Sequence, residues 1–268
     1  MSYQLIELEV ENHVATMSLN RVKGLNALNL AFVTEMVAAV RELGAREDVR
    51  VIILKSNARI FCAGLDLKDV SSLGIIGGGA KAAFFFKEKL QNFFECCNVL
   101  ESCNKPVIAA VHSLCVGGGL DIACACDIRL CTEDAVFCLK EAALNVVADM
   151  GVLQRLPHIV GQGYAREMAF TARNYSAREA ERMGLVNAVY PDQETLLAGA
   201  RKLAAQIAEN APLALMGTKE VLNYSRTASI EEGMDLSISK NKILFSSKDL
   251  MEAFTAFAQN RKPDFKGE

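Results

Sequence analysis

Short apolar runs alternate with stretches of helical periodicity through the first half of the chain. RVIILKS (50–56) and PVIAAVH (106–112) are short and almost continuously apolar, as strands buried on both faces of a sheet are. Residues 30–47 repeat apolar side chains at helical spacing, whereas residues 3–10 and 13–19 alternate apolar with polar residues like the strands of a hairpin. This order of strands and helices predicts an α/β architecture.

The last quarter of the chain has a helical pattern throughout. Helices with apolar faces are predicted at residues 193–209, 212–224, 230–245 and 248–260. Such faces must either close over the chain's own core or pack against another subunit. We therefore divide the 268 residues into an α/β core, 1–191, and a helical C-terminal region, 192–268.

Local signals mark several helix boundaries. Ser176 with Glu179, and Ser229 with Glu232, have the spacing of capping boxes and predict two helix starts. A long helical stretch is predicted from about 80 to 103.

The charge balance of the chain excludes several classes of partner. Hydrophobic residues make up 51% and charged residues 23%, with a net charge of −3 and a pI of about 5.8, so we expect no nucleic-acid partner. No apolar run reaches the roughly 18 residues that cross a bilayer, so we expect no membrane association. The N-terminus shows neither a signal nor a transit pattern, which favours a cytoplasmic protein; mitochondria or peroxisomes stay open if the sequence has been trimmed.

The nine cysteines lie mostly in apolar runs. They form no CxxC pair and no Cys/His spacing suited to zinc. We therefore expect reduced packing residues and no metal site.

Two glycine-rich segments do not match nucleotide-binding motifs. GIIGGGAK (74–81) has Ala80 before its lysine and Ala82 where a phosphate loop requires a hydroxyl, so a lid or pocket edge is expected instead. GGGLD (117–121) lacks the spacing of a dinucleotide fingerprint. No NAD or ATP site is predicted.

Three acids, Asp121, Glu141 and Asp149, stand among mostly apolar neighbours. Burial of an unpaired carboxylate raises its pKa, which suits a general acid or base near neutral pH. Each acid also has a structural alternative. Asp121 and Asp149 could be helix N-caps, and Glu141 could sit on a solvated edge beside Lys140.

An ordered set of motifs resembles the crotonase, or enoyl-CoA hydratase/isomerase, superfamily over nearly the whole chain. The motifs are NRVKGLNALN (20–29), FCAGLDL (61–67), GGGLDIACACDIR (117–129), LQRLP (153–157) and FAQNRKPDF (257–265). The resemblance implies a spiral of ββα units with a helical C-terminal trimerisation region. It also implies an acyl-CoA thioester as substrate and a homo-oligomer, either a trimer or a hexamer.

The resemblance assigns an oxyanion hole to two backbone N–H groups, those of Ala63 and Gly118. Donors fixed in a tight turn are preorganised for the charge of an enolate oxygen, and each can be worth ~3 kcal/mol. A glycine at position 118 lets the ligand approach the backbone closely.

In this family coenzyme A arrives as part of the substrate, so the resemblance predicts no external cofactor. The resemblance also indicates which residues contact the coenzyme A. By motif position Val22, Lys23 and Leu65 would line its site. Lys262 and Phe265 lie in a C-terminal segment that in the family can reach a CoA site, sometimes in a neighbouring subunit. RKPDF (261–265) is equally readable as a solvated tail.

The number of acids distinguishes the reactions of this superfamily. In hydratases two glutamates align with Asp121 and Glu141, and position 149 is typically small. The third acid, Asp149, resembles the Δ3,5-Δ2,4-dienoyl-CoA isomerase subfamily, as do CDIRLCTEDAVF (126–137) and EMAFTARNYSAREAERMGLVNAV (167–189). Asn145 departs from that pattern, in which a glycine is expected, and could alter the pocket wall.

The resemblance implies a 1,5 proton shift in fatty-acid beta-oxidation. Asp149 would remove a proton from C2 of a 3,5-dienoyl-CoA, and Glu141 would deliver a proton to C6 of the resulting dienolate. Asp121 would hydrogen-bond near Glu141 and hold its protonation state, because neighbouring acids push their pKa values apart.

Alternatives stay open. An enoyl-CoA hydratase or a Δ3-Δ2-enoyl-CoA isomerase would use the same scaffold, and a non-catalytic acyl-CoA-binding protein would need none of the three acids. The sequence gives little support for a Ser/His hydrolase, because the one serine next to a histidine is Ser113, beside His112.

Overall fold

The computed structural model describes residues 3–72 and 79–268. Strands β1 (Ile6–Glu11) and β2 (Val14–Leu19) form the predicted antiparallel hairpin. The two residues between them, Asn12 and His13, both have positive φ, as a tight hairpin turn requires.

The hairpin forms the first two strands of a six-stranded sheet. Its other strands are β3 (Val51–Ser56), β4 (Val107–Val111), β6 (Ile128–Thr132) and β9 (Ala188–Tyr190), in the order β1-β2-β3-β4-β6-β9, and all pairs after the hairpin are parallel. A smaller sheet has the order β5-β7-β8, from β5 (Leu114–Val116), β7 (Val136–Cys138) and β8 (Tyr175–Ser176). The predicted strands at 50–56 and 106–112 are confirmed as β3 and β4.

Helices cover both faces of the larger sheet. Because side chains alternate along a strand, Ile52 and Leu54 of β3 enter the main core with helices α1 (Leu30–Ala45) and α5 (Gln91–Ser102). The intervening residues of β3 meet helix α9 (Gln193–Ala208) on the opposite face.

The predicted helix from 80 to 103 is interrupted. After α2 (Leu67–Ser72), the chain forms α3 (Gly79–Phe84), α4 (Phe86–Lys89) and then α5. Residues 74–78 of the predicted lid lie outside the described residues.

The two helix starts that the capping-box motifs predict are confirmed. Helix α6 (Gly118–Ala125) follows β5, and α7 (Val152–Thr171) precedes β8. Complete capping boxes open α8 (Ala177–Arg182) and α11 (Ile230–Leu244). The remaining helices are α10 (Pro212–Tyr224) and α12 (Lys248–Ala258), and 3-10 turns span Val22–Gly24 and Glu141–Leu144.

All nine cysteines are buried and free, as predicted. No helix in residues 3–72 or 79–268 is long and apolar enough to span a membrane. The boundary at 191–192 stays a prediction.

Large apolar side chains of the C-terminal helices are exposed in the single chain. They are Ile230, Met234, Ile238, Ile243, Met251, Phe254 and Phe257. These exposed faces support packing against another subunit, although the oligomeric state stays a prediction.

Candidate active site

A glycine turn joins β5 to α6. Gly117 has φ +52, and its N–H donates to the Cys138 carbonyl over 2.9 Å. Gly118 begins the helix, where the first N–H groups have no intrahelical acceptor. Within the described chain the Gly118 N–H has no acceptor outside the helix either. It is therefore available to a ligand.

Little space surrounds this turn. A β carbon at Gly118 would lie 2.7 Å from Leu28 Cδ1, so alanine would displace its surroundings. A β carbon at Gly64, which has φ +86, would lie 3.6 Å from the Gly118 nitrogen. The FCAGLDL and GGG motifs, about fifty residues apart in sequence, therefore meet in the fold.

The N–H of Ala63 already has an acceptor. It donates to the Leu25 carbonyl over 3.1 Å. A substrate oxygen bound between Ala63 and Gly118 must share this N–H with Leu25 or replace the carbonyl.

Asp121 is deeply buried, with 1% of its surface exposed, in α6. The N–H of Val152, the first residue of α7, donates to its Oδ1 over 2.8 Å. Asp121 therefore satisfies the start of α7 rather than capping its own helix, and its hydrogen bond runs to Val152 rather than to Glu141. Burial raises the pKa of Asp121 to about 7, and the charges of Glu141 and Asp149 act in the same direction.

Glu141 opens the 3-10 turn and points toward the glycine turn. A β carbon at Gly117 would lie 3.0 Å from its Oε1, while its Oε2 is buried with no hydrogen-bond partner among the described residues. Burial raises the pKa of Glu141, and the charge of Asp149 adds to this effect. The solvated-edge alternative for this residue does not fit an unpartnered buried oxygen.

Asp149 lies in the turn before α7 and lines a cavity of about 590 Å³. It is not the N-cap of that helix, because Gly151, with φ +107, occupies that position. The surrounding protein removes part of the carboxylate's hydration and raises its pKa. Asp121, Glu141 and Asp149 therefore form one electrostatically linked group, as Asp149 and Glu141 both raise the pKa of Asp121.

Asn145 lies in the segment between Glu141 and Asp149. It has φ +59 and follows the 3-10 turn as its left-handed cap. Glycine adopts this conformation without strain, and asparagine tolerates it better than other side chains do. The departure from the expected glycine thus preserves the backbone turn.

The residues expected around the CoA site divide into two groups. Val22 and Lys23 are exposed on the first 3-10 turn, close to the segment that carries Leu65. An ion pair of 2.8 Å between Arg21 and Asp66 joins these segments beside Ala63.

Lys262 and Phe265 lie elsewhere in the single chain. They line a separate cavity of about 610 Å³, with His13 and Arg50 among its other residues. Lys262 pairs with Glu209 over 2.7 Å, and the Phe265 carbonyl accepts a hydrogen bond from Arg50. The chain does not bring these two residues to the cavity beside Asp149, so their role at a neighbouring subunit's site stays a prediction.

Arg155 and Glu101, which the motifs did not identify, form an ion pair of 2.7 Å on the wall of the Asp149 cavity. A signal was present, because Arg155 lies at helical spacing from the apolar residues Val152 and Leu156. A charge in such a position needs a partner.

Comparison with known proteins identifies the family. Residues 9–268 match the enoyl-CoA hydratase/isomerase family. The chain is 41% identical over 271 residues to the peroxisomal Δ3,5-Δ2,4-dienoyl-CoA isomerase of Arabidopsis thaliana, covering 98% of each chain. It is 38% identical to the mitochondrial enzyme of that name from Homo sapiens, over 97% of this chain and 81% of that protein.

Hydratases are also similar to this chain. The short-chain-enoyl-CoA hydratase of Clostridium acetobutylicum is 35% identical over 98% of this chain and 97% of that protein. The crystal structure of an enoyl-CoA hydratase from Bacillus anthracis superposes with a TM-score of 0.91 at 31% identity, over 99% of this chain and 100% of that one. The predicted crotonase-like α/β fold with a helical C-terminal region is confirmed, and the chain belongs to the enoyl-CoA hydratase/isomerase family.

Proposed function

We propose that this protein is a Δ3,5-Δ2,4-dienoyl-CoA isomerase. One observation carries the proposal: a third acid, Asp149, lies within electrostatic range of Asp121 and Glu141, and burial raises the pKa of each. Relatives of that name, similar over nearly the whole chain, support the same reaction. A hydration reaction needs only two of these acids.

The first half of the reaction removes a proton from C2 of the 3,5-dienoyl thioester. Asp149 takes this proton as its carboxylate, and the electrons of the C2–H bond pass into the conjugated system and onto the thioester oxygen. The Gly118 N–H, which has no acceptor of its own in the described chain, and the Ala63 N–H would donate to that oxygen. On binding, the substrate oxygen would share the Ala63 N–H with the Leu25 carbonyl or replace that carbonyl.

The second half delivers a proton to C6. Glu141 must be protonated to do so, and its buried, unpartnered Oε2 favours the neutral form. The new C6–H bond forms as the double bonds move to C2 and C4, leaving Glu141 as a carboxylate and Asp149 protonated. Asp149, on an open cavity, returns its proton to solvent, and Glu141 is protonated again before the next turnover.

Asp121 would support both acids. Its charge state acts on Glu141 and Asp149 through space, and its Oδ1 holds the start of α7 directly after the Asp149 turn. The segment between Glu141 and Asp149 exposes Leu144, Val146 and Val147. These side chains would form an apolar wall for the acyl chain beyond C6.

The substrate brings coenzyme A with it, and we propose no further cofactor. Val22, Lys23 and Leu65 would contact it from this chain, and Lys262 with Phe265 from a neighbouring subunit of a trimer or hexamer. The reaction belongs to the beta-oxidation of unsaturated fatty acids. Relatives are named as peroxisomal or mitochondrial, and a cytoplasmic location is compatible with the same chemistry.

An enoyl-CoA hydratase is the second candidate. Asp121 and Glu141 occupy the two positions a hydratase would use, and hydratases are among the relatives. A non-catalytic acyl-CoA-binding protein would not need raised pKa values at Asp121, Glu141 and Asp149.

An ultraviolet assay separates these candidates. Purified protein is given 3,5-octadienoyl-CoA and, separately, crotonyl-CoA, with Asp149→Asn and Glu141→Gln as variants. We expect the conjugated 2,4-dienoyl thioester to appear, and both variants to lose most of the rate. Consumption of crotonyl-CoA alone would reject the isomerase in favour of the hydratase, and no turnover of either would leave the binding protein.

A further inference from the structure

We infer that Arg155 is a positioning residue of this active site, which fixes the turn that carries Asp149. The inference rests on the proposed function, because it matters to catalysis only if Asp149 takes the C2 proton. Arg155 lies in the first turn of α7 and lines the Asp149 cavity without belonging to the acid group itself.

Within the described chain, the Asp149 carboxylate accepts a hydrogen bond only from its own backbone N–H. No other residue of the described chain donates a hydrogen bond to it. Its position therefore depends on the short segment 149–152, in which Gly151 has φ +107. A base that must reach C2 within hydrogen-bond distance needs this segment to be rigid.

Two buried groups fix that segment through its main chain. Asp121 Oδ1 accepts the Val152 N–H over 2.8 Å, and Arg155 Nη1 donates to the Met150 carbonyl over 3.2 Å. These bonds flank Gly151 and follow directly after Asp149. The guanidinium also fills the space beside Gly151, where a β carbon would lie 2.0 Å from Nη1.

Arg155 is itself immobilised by its partners. It is only 7% exposed, and Glu101 on α5 accepts from its Nε over 3.1 Å and from its Nη2 over 2.7 Å. Asn98, one helical turn earlier, accepts from Nη2 over 2.8 Å. The planar guanidinium thus connects a rigid core helix to the Asp149 turn through its fixed donors, which a lysine ammonium cannot do.

A purely structural role is the competing explanation, because the pair also joins α5 to α7. Lys219 offers a matched control. It is 6% exposed and donates to the Leu100 and Lys105 carbonyls and to Asp127 over 2.7–3.0 Å, so it too is a buried cation that fastens a helix to the end of α5. Lys219 does not line the Asp149 cavity.

The test compares Arg155→Met and Arg155→Lys with Lys219→Met and the wild-type protein. Thermal melting first establishes that each variant is folded at the assay temperature. Turnover of 3,5-octadienoyl-CoA then gives kcat and KM, and mass spectrometry of the unreacted substrate in D2O gives the rate of deuterium exchange at C2. Exchange at C2 reports the Asp149 step alone.

We expect Arg155→Met to lower kcat by ~10²-fold, the effect of moving a catalytic group by about 1 Å, with KM changed less than about threefold. C2 exchange should fall in parallel. Arg155→Lys, which keeps the charge and is the variant to use if Arg155→Met does not fold, should lose at least about tenfold in kcat because it cannot bridge the same partners. Lys219→Met should lose comparable thermal stability and keep kcat within about twofold.

Equal kcat values for the Arg155 and Lys219 variants would overturn the inference, as would a lower kcat with unchanged C2 exchange. These outcomes leave the proposed function intact, because the wild-type protein and Asp149→Asn test it separately. Absence of isomerisation by the wild-type protein would remove the proposed function and this inference together.

Discussion

Replacement of Asp121 by asparagine should make the protein more stable at alkaline pH. The pKa of Asp121 rises from its usual value of 3.8 to about 7 in the fold, chiefly because the carboxyl group is buried. The folded state therefore binds a proton that the unfolded state has lost, and stability falls as pH rises from about 4 to about 7. Asparagine removes the charge and keeps an oxygen for the Val152 N–H.

The size of this change in stability follows from the pKa shift of Asp121. At ~1.4 kcal/mol per pKa unit, a shift of roughly three units corresponds to ~4 kcal/mol in full. Between about pH 5 and about pH 8.5, the stability of Asp121→Asn relative to wild type should increase by ~3 kcal/mol. Urea unfolding at both pH values and at one protein concentration measures this difference.

A matched variant checks the origin of the effect. Asp192→Asn should show no such increase over the same range, because hydrogen bonds at its helix cap lower the pKa of Asp192 and it is ionised in both states. If wild type and Asp121→Asn differ by the same unfolding free energy at both pH values, then burial does not raise the pKa of Asp121.

Substitutions at Gly118, Asn145 and Ser229 test local features. Gly118→Ala should lower kcat/KM by ~10²-fold or more, because the added carbon meets Leu28 and displaces the N–H, whereas Gly163→Ala, with open space around it, should leave the kinetics unchanged. Asn145→Ala should reduce the unfolding free energy by ~1 kcal/mol in urea titrations, since alanine is strained at φ +59, while Asn145→Gly should be nearly neutral. Ser229→Ala removes the acceptor of the Glu232 N–H and should cost ~1 kcal/mol in the same titrations; an unfolding free energy equal to that of wild type would contradict the capping assignment.

Local periodicity accounts for the elements that the sequence predicted well. The buried strands at 50–56 and 106–112 and the four C-terminal helices each carry a pattern within one element, so neighbouring residues alone specify them. The stretch from 80 to 103 also has a helical pattern along its length, but in the fold it forms three separate helices. Its pattern did not mark where those breaks fall.

The partners of the acids could not be predicted in the same way. Asp121 is bonded to Val152, 31 residues later, and Arg155 to Glu101, 54 residues earlier. Contacts over such separations depend on how helices pack, which residue spacing does not encode. The resemblance assigns the Gly118 N–H to the oxyanion hole, and that role stays a prediction. The hydrogen bond from the Ala63 N–H to the Leu25 carbonyl is visible only in the fold.

The most direct test of the account follows the protons. When the wild-type protein converts 3,5-octadienoyl-CoA in D2O, nuclear magnetic resonance of the product should show 2,4-octadienoyl-CoA with deuterium at C6, and Glu141→Gln should abolish that label. A product that carries a 3-hydroxyl group, or a 2,4-dienoyl product with no deuterium at C6, would contradict a 1,5 proton shift through Asp149 and Glu141.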